Sequence, residues 1–183
     1  MLEATLDELV DRGYSAMTIQ GIASRAGVNK TSLYRRWGTK GALLADALLA
    51  TSAPPADPPD TGDVRTDLVG LWMIAPAPVR IGELSRPVAV SRALAAAADD
   101  PDVSAAHQAL WGRRLALVKV IVDRAVQRGQ LPAGADPALL MDLLFGPFLA
   151  RVVNRGEAPT ATFLKQTLES ALHAVGARPA ATR

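Results

Sequence analysis

The chain runs to 183 residues, 49% of them hydrophobic and 4% aromatic, with no cysteine and a formal net charge of +2. That length and apolar content imply a packed core and not a disordered chain, and the lack of cysteine excludes disulfides and thiolate metal sites. No apolar run approaches the roughly 18 residues of a membrane span, and Met1-Leu2-Glu3 carries no basic leader. A cytoplasmic protein with no membrane partner is expected. Alanine and leucine outweigh aromatic and β-branched residues, which favours an all-α fold.

The charge is unevenly placed. Residues 1–40 hold six basic side chains (Arg12, Arg25, Lys30, Arg35, Arg36, Lys40) and four acidic ones (Glu3, Asp7, Glu8, Asp11), and every acid precedes Arg12. The remaining fourteen of each sign, in residues 41–183, cancel. The net positive charge therefore lies in the N-terminal segment, which suits a polyanionic partner for that segment.

Leu2, Leu6, Leu9 and Val10 recur at helical spacing and predict a first helix that stops near Gly13. Thr18 is a good N-cap for a second helix to Ala26, which Gly27 ends in the left-handed conformation. Asn29 caps a third helix from Lys30 to about Trp37. Thr39 caps a fourth, with Leu43, Leu44, Ala47 and Leu48 as its inner stripe. The stretch 53–63 holds four prolines and three aspartates, which cannot pack as helix or central strand. The expected organisation is a helix-turn-helix, three-helix head over 1–50, a proline-rich linker over 51–62 and a larger helical domain over 63–183. Further helices are predicted over 63–74, 87–98, 102–128, 137–155 and 160–174. Asp99-Asp100-Pro101-Asp102 is a stop followed by a start, since proline is tolerated in a first helical turn. The longest helix has Val103, Leu110, Leu117, Val118, Ile121 and Ala125 on its apolar side.

The segment from Thr18 to Trp37 reads as helix, tight glycine turn and short helix, with a polar, cationic outer face. In a helix-turn-helix the first helix crosses the DNA backbone and the second enters the major groove. Ala23 and Gly27 supply the small residues such a crossing needs, and Ile22, Val28 and Leu33 a shared core. Lys30, Thr31, Ser32, Tyr34 and Arg35 then face outward. Arg35 suits a guanine edge, a pairing that brings about 1–3 kcal/mol of discrimination. Thr18 and Lys40, at helix N-termini, suit phosphates, which position a head without reading sequence. Tyr34 and Trp37 also fit a core role, and Arg36 a solvent-facing one.

The string Gly13-Tyr14, Thr18, Ile22-Ala23, Ala26-Gly27-Val28, Leu33-Tyr34, Trp37, Lys40 and Leu43-Leu44 resembles the DNA-binding domain of TetR-type (tetracycline-repressor-like) transcriptional regulators. The match covers about the first 50 residues. Position by position, the resemblance implies phosphate contacts at Thr18, Tyr34 and Lys40, and base contacts at Gln20, Lys30, Thr31, Ser32 and Arg35. It also implies an all-helical homodimer that releases DNA when a small molecule enters the C-terminal domain. Family members usually carry a basic arm ahead of the first helix. This chain starts inside that helix, so a truncated start or missing arm contacts, with reduced affinity, are expected.

In the C-terminal half, Arg124-Ala125-Val126, Arg128-Gly129, Leu131-Pro132, Asp136-Pro137 and Leu144-Phe145-Gly146-Pro147 resemble one subclass of TetR-type C-terminal domains. The helix over 137–155 is apolar nearly all round, as a helix buried on all sides would be. A second subunit is expected to cover one side, through Leu140, Leu144, Phe148 and Val152 with Phe163, Leu164, Leu168 and Leu172 of the last helix, in a four-helix dimer core. A helix central to a monomer is the other reading. Pro147 predicts a kink, because it cannot bond back to Leu143. Trp72, Met73, Trp111, Arg114, Met141, Phe145 and Phe148 are candidates for an effector pocket, although at helical spacing they equally suit a core.

His107 and His173 stand apart from acidic or histidine partners, so no metal site is expected. No cofactor and no catalytic residue are expected either, since the chain has no cysteine and no recognisable nucleophile or phosphate motif. The leading function is a homodimeric repressor on a palindromic double-stranded DNA operator, released by a small apolar or amphipathic effector. The alternative is a small-molecule or protein-binding helical module with weakened DNA binding.

Overall fold

The structure, a computed structural model, describes residues 1–51, 57–73, 90–91, 94–157 and 159–177, with the backbone alone at 51, 72 and 73. The side chains of Trp72 and Met73, residues 52–56 of the proline-rich stretch and residues 87–89, 92 and 93 of the helix expected over 87–98 lie outside the described residues. The elements are α1 (Leu2–Ala16), α2 (Ile19–Ala26), α3 (Lys30–Trp37), α4 (Lys40–Thr51), α5 (Val64–Met73), α6 (Pro101–Gln127), α7 (Pro137–Leu149), continued by a π-helical turn (Ala150–Arg155), and α8 (Ala161–Ala174). They form two compact units: Met1–Ala53 with Ser85–Gly112, and Pro54–Leu84 with Arg113–Arg183.

In the first unit α1 packs along α4 and against α2, α2 packs on α3, and α3 on α4. The core gathers Leu6, Leu9, Met17, Ile22, Leu33, Leu43, Leu44 and Leu48. All of these but Met17 are expected inside from helical spacing or from the turn. Ala97, Val103 and Leu110 join the same cluster from far along the sequence. The last two lie on α6, whose residues up to Gly112 belong to this unit. The first run of α1 breaks near Gly13, as the sequence predicts, and a short second helical piece follows. The backbone kinks at Gly13 (φ 71°, ψ 165°) and continues to Ala16, where the Met17 N–H bonds the Gly13 carbonyl at 3.0 Å.

In the second unit α5, α7 and α8 each start on a side-chain cap. Asp63 accepts from the Thr66 N–H at 3.0 Å, Asp136 from Ala138 at 2.8 Å and Thr160 from Phe163 at 3.1 Å. Arg65 on α5 makes a two-pronged pair with Glu169 on α8, at 3.0 and 3.1 Å. The described end of the proline-rich stretch is fastened down: the Arg124 guanidinium donates to the carbonyls of Pro58 and Pro59, and Arg128 pairs with Asp60. Pro147 lies inside α7, and the helix widens just beyond it into the π-helical turn, closed by Gly156 in the left-handed conformation.

The apolar α7 resolves into two faces. Leu140, Met141, Leu144, Phe148 and Val152 are buried within the protomer, while Leu139 and Leu149 are 43% and 37% exposed. Pro137–Arg155 is also long and apolar enough, by length and composition, to cross a membrane, which corrects the expectation that no run approaches that size. Asp142 and Arg151 interrupt the apolar string in sequence without interrupting the helix. A core helix packed on a neighbour passes the same test, and α7 packs on α8.

Candidate nucleic-acid interface

Local chemistry builds the α2–turn–α3 unit as expected. Thr18 sits in extended backbone and its Oγ1 accepts from the Gly21 N–H at 3.0 Å, opening α2. Gly27 closes α2 at φ 65°, and the Val28 N–H returns to the Ala23 carbonyl at 3.0 Å. Asn29 Oδ1 accepts from the Thr31 N–H at 2.8 Å and opens α3. Ile22, Ala23 and Leu33 are at most 1% exposed, and Val28 packs partly buried against them. Gly27 serves its conformation and not helix proximity, because a Cβ there would meet nothing within 4 Å.

The close approach falls at Gly21 instead. A Cβ on Gly21 would overlap the Glu8 Oε1 atom and stand 2.8 Å from its Cδ. Glu8 is buried at 3% exposure and pairs with Arg12 at 3.1 Å and Arg25 at 3.4 Å. Arg25 also pairs with Asp11. The sequence separates these acids from the basic window, but α1 lays them against it. Gly21→Ala is therefore expected to lower the free energy of unfolding by about 1–3 kcal/mol through overpacking. Adding Glu8→Ala should recover part of that loss in urea denaturation, whereas simple additivity of the two changes would rule out the Glu8 contact as its source.

With Arg12 and Arg25 paired, the cationic surface narrows to α3. Lys30, Thr31, Ser32, Tyr34 and Arg35 are all exposed, and Lys30 and Arg35 form no ion pair among the described residues. Arg36 stacks over the Trp37 ring at 4.6 Å. Trp37 is half-buried against the core, and its indole N–H donates to Asp46 at 3.0 Å. On α2, Gln20 is exposed and donates to Ser24 Oγ at 3.3 Å.

Lys40 is differently engaged. Its ammonium donates to the carbonyls of Tyr14 at 2.8 Å, Ser15 at 3.3 Å and Met17 at 3.4 Å, and lies 4.6 Å over the Tyr14 ring. It binds the end of α1 to the start of α4. The Tyr14 hydroxyl donates to Asp100. Asp100 also accepts from the N–H groups of Asp102 and Val103, at 3.1 and 3.3 Å, capping α6. Thr39 caps α4 through the Ala42 N–H at 3.0 Å and donates to Asp102 at 3.3 Å. One carboxylate, Asp100, thus ties α1 to the start of α6. The Asp-Asp-Pro-Asp run marks a helix start in sequence, but nothing local in it points to Tyr14.

The C-terminal candidates spread out. Of the residues expected at a dimer interface, Leu140, Leu144, Phe148, Val152, Leu168 and Leu172 are at most 7% exposed inside a single protomer, so they form its own core and offer little area to a partner. Phe163 and Leu164 remain half-buried, with Arg151 over the Phe163 ring at 4.5 Å. Among the pocket candidates, Met141 and Phe148 are buried, while Trp111, Arg114 and Phe145 are half-buried. Trp111 stands edge-on to His107, ring centroids 6.3 Å apart.

Residues 1–47 match the family described as bacterial regulatory proteins, tetR family, and residues 58–171 match the tetracyclin repressor-like C-terminal domain. The chain is similar to the HTH-type transcriptional regulator AqdR of Rhodococcus erythropolis, 32% identical over 161 residues, covering 87% of this chain and 76% of that one. It is also similar to the DNA-binding transcriptional repressor TetR of Mycobacteroides abscessus, 30% identical over 146 residues, covering 78% and 75%. Among solved structures, the TetR family transcription regulator SCO0332 superposes with a TM-score of 0.64 at 28% identity, over 97% of this chain and 96% of that one. A matched DNA-binding head, a matched C-terminal domain and relatives along most of its length place this chain in the TetR family of DNA-binding transcriptional regulators.

Proposed function

We propose that this regulator is a homodimeric repressor that holds a palindromic operator and releases it when a small apolar or amphipathic molecule binds its second unit. The observation that carries the reading is the outer face of α3, where Lys30, Thr31, Ser32, Tyr34 and Arg35 are exposed together. On this reading Gln20, Lys30, Thr31, Ser32 and Arg35 read bases, while Thr18 and Tyr34 contact phosphates. Lys40 adds its charge beside them while pinning α1 to α4. The second apolar face of α7, with Leu139 and Leu149 exposed, together with Phe163 and Leu164 of α8, is the surface offered to a second copy. A two-fold would set two α3 helices about 34–36 Å apart, or a multiple of that, in successive major grooves. The relative named a repressor in M. abscessus supports the sign of the regulation.

The test is fluorescence anisotropy on fragments from upstream of the chain's own gene, with sedimentation to give the assembly state. Nanomolar binding of a dimer to one palindrome is expected. The affinity should fall by a factor on the order of 10³ or more between 50 and 200 mM salt, as counterions leave the phosphates. Failure to bind any upstream palindrome at low salt would defeat the proposal and favour a helical module that binds small molecules or proteins without DNA.

A further inference from the structure

α6 carries an inward apolar stripe: Leu110, Leu117, Val118 and Ile121 are each at most 8% exposed. At a spacing of three and four, the position between Leu110 and Leu117 that shares this side falls at 113 or 114. Arg113 is exposed, and Arg114 is half-buried in the stripe. Its guanidinium lies 5.4 Å from the centroid of the Phe145 ring on α7. Among the described residues it makes no ion pair and no hydrogen bond. The other arginines with partners in this unit contrast with it: Arg65 meets Glu169, Arg124 and Arg128 meet Asp60, and Arg151 meets Glu157. Burial pushes the Arg114 pKa down. A ring face answers the charge of a guanidinium but leaves its N–H donors without a protein acceptor, and none of the Arg114 nitrogens is sealed from solvent, so they stay open to a ligand that brings acceptors. A half-buried cation without a counter-charge loses part of its hydration and regains no ion pair within the protein, so an anionic ligand that reaches it gains more than it would from a fully solvated side chain.

We propose that Arg114 is the anion-recognising residue of the effector site, and that the effector is a small organic carboxylate with an apolar, aromatic body. The carboxylate accepts two parallel N–H bonds from the guanidinium, and the body lies against the apolar surface that carries Phe145. This narrows the effector class within the reading of a ligand-responsive regulator and rests on it. It assigns the apolar or amphipathic effector a negative charge.

The experiment is calorimetric titration of the full chain with 2-naphthoate and with 2-naphthamide, which share a shape and differ in charge. Naphthoate is expected to bind at least about tenfold more tightly than the amide, the return on one charge-assisted pair. R114M should abolish that preference while matching the parent in thermal stability, because it removes a cation with no counter-charge and keeps an apolar side chain of similar reach. R114K, which keeps the charge without the planar fork, should retain part of the preference. Equal affinities for the two probes, binding of neither, or a preference that survives in R114M overturns the proposal. A large drop in melting temperature for both R114M and R114K also overturns it, since that marks a structural arginine. The titration contains no DNA, so a failure here leaves operator binding untouched, and a failure to bind an operator leaves this result standing.

Discussion

Replacing Arg35 by alanine is expected to weaken operator binding by about 2–6 kcal/mol, from about 1–3 kcal/mol for one arginine–guanine pair in each of two heads. Arg35 is exposed on α3, beyond the first turn that Asn29 caps, in a helix whose polar face is otherwise uncharged except for Lys30 and Arg36. It makes no ion pair among the described residues, so its loss should leave the melting temperature of the protein unchanged. The loss should also be selective. The ratio of operator to scrambled-site affinity should fall, and tolerance should appear at one base pair in each half-site. Arg35→Lys should lie between, because an ammonium keeps the charge and loses the planar fork. Anisotropy on the operator and its single-base variants reads this. An Arg35→Ala protein that keeps the parent's specificity ratio would remove Arg35 from the base-reading set.

Asp100→Ala is expected to lower the free energy of unfolding by about 1.5–5 kcal/mol. About 0.5–2 kcal/mol comes from the lost cap of α6, where Asp102 and Val103 donate to the carboxylate. The remainder, about 1–3 kcal/mol, comes from the Tyr14 hydroxyl left without its acceptor in a partly buried place. Guanidinium denaturation reads the sum, and a loss under about 0.5 kcal/mol would show that neither bond contributes appreciably. The Tyr14 bond also has a pH signature. Burial first, then the hydrogen bond to Asp100 and the charges of Asp100 and Asp102, hold the Tyr14 pKa well above its ordinary value. A phenol whose folded pKa is raised contributes stability that is full below the unfolded value near 10 and is lost as pH rises through the folded value. The stability difference between the parent and Tyr14→Phe should therefore be constant through neutral pH and shrink above about pH 10. A difference that does not change up to about pH 11 would mean that the phenol is not held protonated by this contact.

The same carboxylate explains a second glycine. A Cβ on Gly41, at the start of α4, would overlap the Asp100 side chain. Gly21 stands in that relation to Glu8, and neither glycine stands out in sequence, since each lies inside a helix where alanine would be preferred. Glycine is legible where the reason is local, as at Gly27, whose left-handed conformation comes from ending one helix three residues before the next. Even there the expected crowding is absent. The buried acid on α1 and the acid ahead of α6 supply the crowding at other positions, and no spacing rule links residues so far apart in the chain.

Residue order alone suffices for whatever is governed within one turn of helix. The caps at Thr18, Asn29, Thr39, Asp136 and Thr160, the glycine stop at Gly27 and the exposed polar face of α3 each depend on residues within four positions, so pattern and propensity suffice to read them. The resemblance over the first 50 residues belongs to the same class, because a helix-turn-helix is a local device. The remaining features exist only once the helices have packed. Arg12 and Arg25 are engaged by Glu8 and Asp11, which narrows the cationic surface to α3. Val103 and Leu110 belong to the core of the head. Of the two apolar faces of α7, the one through Leu140, Leu144 and Phe148 goes inside. An apolar side chain gains from losing water wherever the chain brings a partner, and a carboxylate gains from any guanidinium it meets. Hydropathy and charge are properties of one residue, whereas burial and pairing are properties of two residues that the fold alone brings together.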